Sequence, residues 1–450
     1  MKSISKRVSH ERPKRGRRPR VRHVARMRFS DVAELNRYAL GNGLDVLLLK
    51  DDRAPIISYQ TWFKVGSRDE RPGKTGLAHL FEHLMFNQTK NLPAGRFDRL
   101  LEAAGGETNA ATWVDWTYYY ENLPASKLNL VIGLEAERMA NLVLKEPQVR
   151  SEKEVVANER RYRVEDDVQG QASEVLYATA FRKHPYRWPT IGWMRDIEGF
   201  TLRDCRDFYK RYYAPNNAII VLVGDFEPDA ALRLIEGAYG GLRSSRIQRP
   251  KRSVEPAQRR ERVVSLTLPT ATEKLQLGYR GPAFGTYDHA VLAVADEILF
   301  GGRSSRLHRA LISEGELASE ADSSLSPFRD PGLYEIWISM REGKRAASAQ
   351  LVLDAGIRRL QRGQVTSSEM EKAKNRLELA FLQSLETVTG KAESIGFYTT
   401  VLGDPRHIFL RMEQLRKVDR ADLKEVAARY LQPSQRTIVR IYPKLGTAHD

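Results

Sequence analysis

Two ten-residue stretches of this 450-residue chain echo one another. Tyr212-Tyr213-Ala214-Pro215-Asn216-Asn217-Ala218-Ile219-Ile220-Val221 lines up with Tyr430-Leu431-Gln432-Pro433-Ser434-Gln435-Arg436-Thr437-Ile438-Val439, 218 residues further on. Each copy reads as an amphipathic helix (204–212 and 422–430), a proline-marked turn and a β-branched strand. An offset near half the chain length implies two similar domains in tandem, and a chain this long can bury more than one core. The seam is read at 244–262, SSRIQRPKRSVEPAQRRER, which is polar, basic and broken by two prolines. The chain thus divides into an arm (1–33), a first domain (34–243), a linker (244–262) and a second domain (263–450). Strands are predicted over 45–50, 56–65 and 112–122, and helices over 79–86, 126–143 and 149–162. The second half echoes this, with strands over 273–280 and 333–340 and helices over 345–361 and 367–385. The predicted fold class is α+β, each domain a layer of helices on a mostly antiparallel sheet.

The net charge of +16 is largely a property of the arm: residues 1–27 hold eleven Lys or Arg and one acid, so ten of the sixteen positive charges lie there. So much charge with so little hydrophobicity predicts disorder. An arm that binds nucleic acid or anionic membrane, or an organellar presequence, would have this composition. A solvated extension is the preferred reading, and no nucleic-acid partner is expected, because no aromatic residue interrupts the tail to stack on bases. The tail has no apolar core of a secretory signal, and the apolar runs elsewhere are too short to span a bilayer. The expectation is a soluble, cytoplasmic protein, with periplasm and organelle matrix left open. The single cysteine, Cys205, excludes an internal disulfide framework.

Chemistry enters at His79-Leu80-Phe81-Glu82-His83. Two histidines four apart share one face of a helix and can bind one metal ion. Glu82 stands beside them, where a carboxylate can take a proton from an attacking water. This H-x-x-E-H order is a zinc-peptidase signature, the inverse of the commoner motif. Every other residue from Leu77 to Phe86 is apolar, as in a buried helix. Three unpaired polar groups there would be costly without a metal. A third ligand is needed, and the stretch Ser151 to Arg161 offers Glu152 and Glu159, seven apart and on one face. By composition alone that stretch reads equally well as a solvated charged helix.

These residues resemble the M16 family of metallopeptidases (inverzincins), which includes pitrilysin, insulysin and the mitochondrial processing peptidase. The family carries H-x-x-E-H and a glutamate ligand about 76 residues after the second histidine; Glu159 lies 76 after His83. The resemblance implies that His79, His83 and Glu159 bind one Zn2+, that Glu82 is the general base, and that Glu152 supports the site from behind the ligands. Gly105-Gly106-Glu107-Thr108-Asn109-Ala110-Ala111-Thr112 is similar to the family's G-G-x-x-N-A-x-T strand, so Asn109, Ala110, Ala111 and Thr112 are expected to line the substrate cleft. The implied architecture is that of the M16/LuxS-like metallohydrolases, and the likeness runs from about Leu35 to Pro443.

One departure stands out. Self-complete members carry an Arg and a Tyr seven apart after a Gly-Gly-x-Ser-Ser-Arg-Leu-like loop, and these clamp the substrate carbonyl. The loop is here, Gly301 to Leu307, but the expected positions hold Ile312 and Ser319, and Arg309 is about a turn out of register. The second half also has no H-x-x-E-H. The chain thus resembles the beta subunit of the mitochondrial enzyme and the zinc-bearing subunit of bacterial two-subunit (M16B-like) peptidases. The expectation is a zinc endopeptidase acting on short or unfolded peptides, bound extended in a cleft over which the second half closes. It would be the metal-bearing subunit of a heterodimer whose M16-like partner supplies Arg and Tyr. The competing reading is a non-catalytic assembly or peptide-binding subunit.

Overall fold

The structure, a computed structural model, describes residues 21–31, 33–250 and 253–444. The basic arm's residues 1–20 lie outside the described residues. The first half supplies β1 (Arg22–Arg28), β2 (Glu34–Ala39), β3 (Asp45–Lys50), β4 (Ile56–Phe63), β5 (Glu107–Thr112), β6 (Thr117–Pro124) and β7 (Ala218–Gly224). The second supplies β8 (Arg262–Leu268), β9 (Lys274–Arg280), β10 (Ala318–Leu325), β11 (Leu333–Met340) and β12 (Arg436–Pro443). They form two sheets, β1-β2-β3-β7-β4-β6-β5 and β10-β11-β9-β12-β8. From β3 onward the first sheet matches the second strand for strand. One parallel pair, β3 with β7 or β8 with β12, is followed by antiparallel pairs to the far edge. The two similar α+β halves inferred from the 218-residue echo are therefore present.

Local sequence explains the order. β7, AIIVLVG, is buried along its whole length and sits centrally, as an unbroken apolar run must. β1, RHVARMR, is exposed and lies at an edge, where its arginines discourage pairing with a foreign strand. This strand corrects the expectation of disorder through residue 33: composition reports hydrophobicity, not the backbone pairing with β2 that orders the segment. The predicted strand 112–122 is a hairpin instead. The chain turns at 113–116, with the Trp113 N–H donating to the Trp116 carbonyl (2.9 Å), and no glycine or proline marks the turn.

The linker is likewise no free tether. Arg249 donates to Asn217 Oδ1 at 3.0 Å, and Glu255 accepts the backbone N–H groups of Arg182, Lys183 and His184, each at 2.8 Å. Among the described residues, no helix is long and apolar enough to cross a membrane.

The halves exchange helices. Val388–Leu402, from the second half, lays Val388, Ala392 and Ile395 on Trp62, Ile219 and Val221 of the first sheet. Val168–Ala180, from the first half, lays Ala172, Leu176 and Ala180 on Leu333, Trp337, Val439 and Ile441 of the second. Gly396 makes the first docking close: a Cβ there would lie 2.1 Å from Trp62 Nε1. Trp62 cannot retreat easily, being stacked on Tyr118 at 4.2 Å between centroids. Gly396→Ala is therefore expected to destabilise the protein by about 1–3 kcal/mol through overpacking, against a gain of roughly 1 kcal/mol in helix propensity. Thermal unfolding reads the difference, and an unchanged or raised midpoint would show that the helix shifts freely.

Candidate metal centre

The helix Leu77–Leu84 buries Leu77, Ala78, Leu80, Phe81 and Leu84 in the first half's main core. The Tyr119 hydroxyl donates to the Phe81 carbonyl at 3.1 Å. With its apolar side so fixed, the helix turns His79, Glu82 and His83 toward β5 and the helix Glu146–Arg160. From that second helix, Glu159 Oε2 comes within 3.5 Å of His79 Nε2 and 3.3 Å of His83 Nε2. One ligand atom from each of the three residues lies within 4.8 Å of the others. The other Glu159 oxygen, Oε1, is 3.1 Å from Arg163 Nε, where the helix widens into a π turn over Arg161–Glu165. Behind His83, Glu152 Oε2 is 3.8 Å from Nδ1, and Asn87 Nδ2 donates to Glu152 Oε1 at 3.0 Å.

Electrostatics suits a cation. Burial pushes the His79 imidazole down to about 4, so it is neutral with a lone pair to offer. The His83 ring beside Glu159 holds that carboxyl below the usual range. Burial also opposes charge on His83, but the neighbouring carboxylates, Glu159 above all, outweigh it and raise its pKa. Burial raises Glu82, against the Thr112 hydroxyl that faces it from the end of β5. Four buried atoms here have no hydrogen-bond partner: His79 Nδ1, Glu82 Oε2, Thr112 Oγ1 and Glu159 Oε2. Such atoms are costly unless something else satisfies them. Two imidazoles and a carboxylate are a standard zinc donor set, so these residues fit the ion.

Of the other expected residues, Asn109, Ala110 and Ala111 do lie on β5, at the open edge of the sheet. Thr112 is buried and turned to Glu82 rather than outward. Sequence reasoning missed Glu70 and Arg160, both buried beside the ligand helices. Gly76, which precedes the first helix and has no side chain to cap it, was the available sign that an acceptor must come from elsewhere.

One helix of the second half reaches the first sheet from its other side. That helix, Val388–Leu402, covers the face of the first sheet carrying Trp62, opposite the face on which Leu77–Leu84 packs. The charges that act most strongly on His79, Glu82, His83 and Glu159 belong to the first half. Ile312 packs against the second half's core, the Ser319 hydroxyl donates to the Ser339 carbonyl (3.2 Å), and Arg309 pairs with Glu314. By element order the helices Tyr287–Leu299 and Ser367–Ser384 are the second half's counterparts of Leu77–Leu84 and Glu146–Arg160. Arg376 Nε donates to Glu297 Oε2 at 2.7 Å, so an ion pair joins these two helices.

Comparison with known proteins agrees with this division. The family model described as insulinase (peptidase family M16) matches residues 45–192, and the model described as peptidase M16 inactive domain matches 199–377. The zinc protease PqqE of Helicobacter pylori is 33% identical over 409 residues, covering 90% of this chain and 92% of that protein. An uncharacterized zinc protease of Mycobacterium tuberculosis is 28% identical, covering 83% and 85%. The crystal structure of a protease from Helicobacter pylori superposes with a TM-score of 0.88 at 32% identity, covering 91% of this chain and 100% of that one. An M16 inactive-domain structure from Pseudomonas fluorescens, 19% identical, has the same fold (TM-score 0.82, covering 92% and 98%). Likeness to a zinc protease over nine-tenths of both chains, with the ligand helices inside the stretch that the insulinase model matches, makes this chain a member of peptidase family M16.

Proposed function

We propose that the chain is a zinc-dependent endopeptidase, with one Zn2+ held by His79, His83 and Glu159. The convergence of those three ligand atoms within 4.8 Å, on two helices of the first half, carries the reading. Bound there, zinc supplies a Lewis acid and lowers the pKa of water. Glu82 accepts the proton of the attacking water and returns it to the leaving amine. Thr112 orients the Glu82 carboxylate, and Glu152 orients His83. The substrate, a short or unfolded peptide, lies extended along Asn109, Ala110 and Ala111, since the outer edge of β5 pairs with no other strand among the described residues.

The groups that clamp the substrate carbonyl come from an M16-like partner subunit, which also covers the cluster. What supports this is the absence of Arg and Tyr at Ile312 and Ser319. A non-catalytic role draws on the inactive-domain match, but that match begins at residue 199, beyond all four site residues.

The test is metal content by mass spectrometry. Glu159→Gln is expected to lose most of its zinc, because a neutral amide replaces an anionic ligand, and Glu152→Gln to lose less. Zinc occupancy in the Glu159 variant equal to wild type would remove Glu159 from the ligand set.

A further inference from the structure

We propose that Glu70 and Arg160 are positioning residues that fix the two ligand helices relative to one another, and so set the geometry offered to the metal. The inference rests on the metal reading above. The first turn of Leu77–Leu84 has free N–H groups and a glycine, Gly76, at its cap. Glu70, only 4% exposed, reaches back to it with both carboxylate oxygens. Oε2 accepts the Gly76 N–H at 2.8 Å, and Oε1 accepts the Ala78 N–H at 2.7 Å. Ala78 is the residue before His79. The grip lies at the positive end of the helix, and these two N–H bonds oppose the burial that pushes the Glu70 carboxyl up.

Arg160 does the corresponding work on the other helix, directly after Glu159. It is 5% exposed; its NH1 donates to the Gly192 carbonyl at 2.8 Å and lies 2.7 Å from Glu174 Oε2. The loop at 191–192 is in backbone contact with the cap of the first helix. A Cβ on Gly192 would lie 2.2 Å from the Thr75 carbonyl oxygen and 2.6 Å from Gly76 Cα. Both glycines have left-handed backbones, φ 97 at Gly76 and φ 88 at Gly192. Asp196 tightens the same junction, accepting from Thr75 Oγ1 at 2.7 Å. A continuous path therefore runs from Glu70 to Gly76, across to Gly192, and through Arg160 to Glu159.

No capping side chain fits at residue 76, where the backbone is left-handed and a Cβ would lie 2.4 Å from the Ile191 carbonyl oxygen. The acceptor comes instead from Glu70, and burying two ionisable side chains at one junction is costly. Their placement makes sense as a bracket, because ligands must be held within roughly half an ångström to bind a metal well.

Cobalt(II) is the probe. Glu70→Gln keeps the size and loses the second acceptor oxygen; Arg160→Lys keeps the charge and loses the planar guanidinium, whose NH1 meets Gly192 and Glu174 while Nε lies 3.5 Å from Glu165 Oε1. Both lower stability, so the measurements are made on folded protein, well below unfolding. Each variant is expected to bind cobalt about 10–100-fold more weakly by chelator competition, with an altered visible absorption spectrum. The double variant is expected to bind no more weakly than the worse single one, since both act through one junction. Folded variants with wild-type affinity and spectrum would overturn the inference, and should Glu70→Gln fail to fold, Arg160→Lys decides it. Wild-type protein that takes up no cobalt would overturn the metal reading itself, and this inference with it.

Discussion

Glu82→Gln protein is expected to carry as much zinc as wild type and to hydrolyse peptides about a hundred- to ten-thousand-fold more slowly. The amide fills the same space beside Thr112, and the three ligands are untouched. What it cannot do is accept the proton of the attacking water. Metal content and kcat/KM on one quenched peptide, measured on the same preparation, separate the two roles. Near-wild-type turnover would remove Glu82 from the mechanism. Loss of zinc along with activity would make it a ligand instead.

The chain purified alone is expected to bind zinc yet cleave peptides about a hundred- to a thousand-fold more slowly than with its cognate subunit, the usual cost of losing an oxyanion donor. Adding the subunit should restore the rate without changing the zinc content. Grafting the pair onto this chain is not a substitute. Ile312 packs against the second half's core, so an arginine there would disturb that packing and the graft is expected to cost stability. Full activity from a single polypeptide, with no second band on a gel, would end the two-subunit reading and leave the metal site standing.

Much of this was legible in the residues. The echo of Tyr212 in Tyr430 located the duplication, because each copy is a local unit with its own turn chemistry. His79 and His83 were visible because a helix fixes which residues share a face. Glu159 was only half visible, since the residues from Ser151 to Arg161 read equally well as a solvated helix until the family spacing singled it out. Long-range pairing was the hidden part. The order in β1 depends on β2, the turn at 113–116 shows no breaker residue, and Glu70 acts on a helix whose first residue lies seven positions further on. Least legible was the exchange of helices between sheets: Ala392 and Leu176 look like ordinary core residues of their own halves.

That exchange bears on whether either half can stand alone. The second copy has no H-x-x-E-H, and an Arg376–Glu297 ion pair joins the helices that correspond to those carrying the cluster. Its helix shields one face of the first copy's sheet, and the first copy's helix shields the sheet of the second. Neither copy's sheet is covered by its own elements alone, so removing the second would uncover the first, whatever chemistry the second retains.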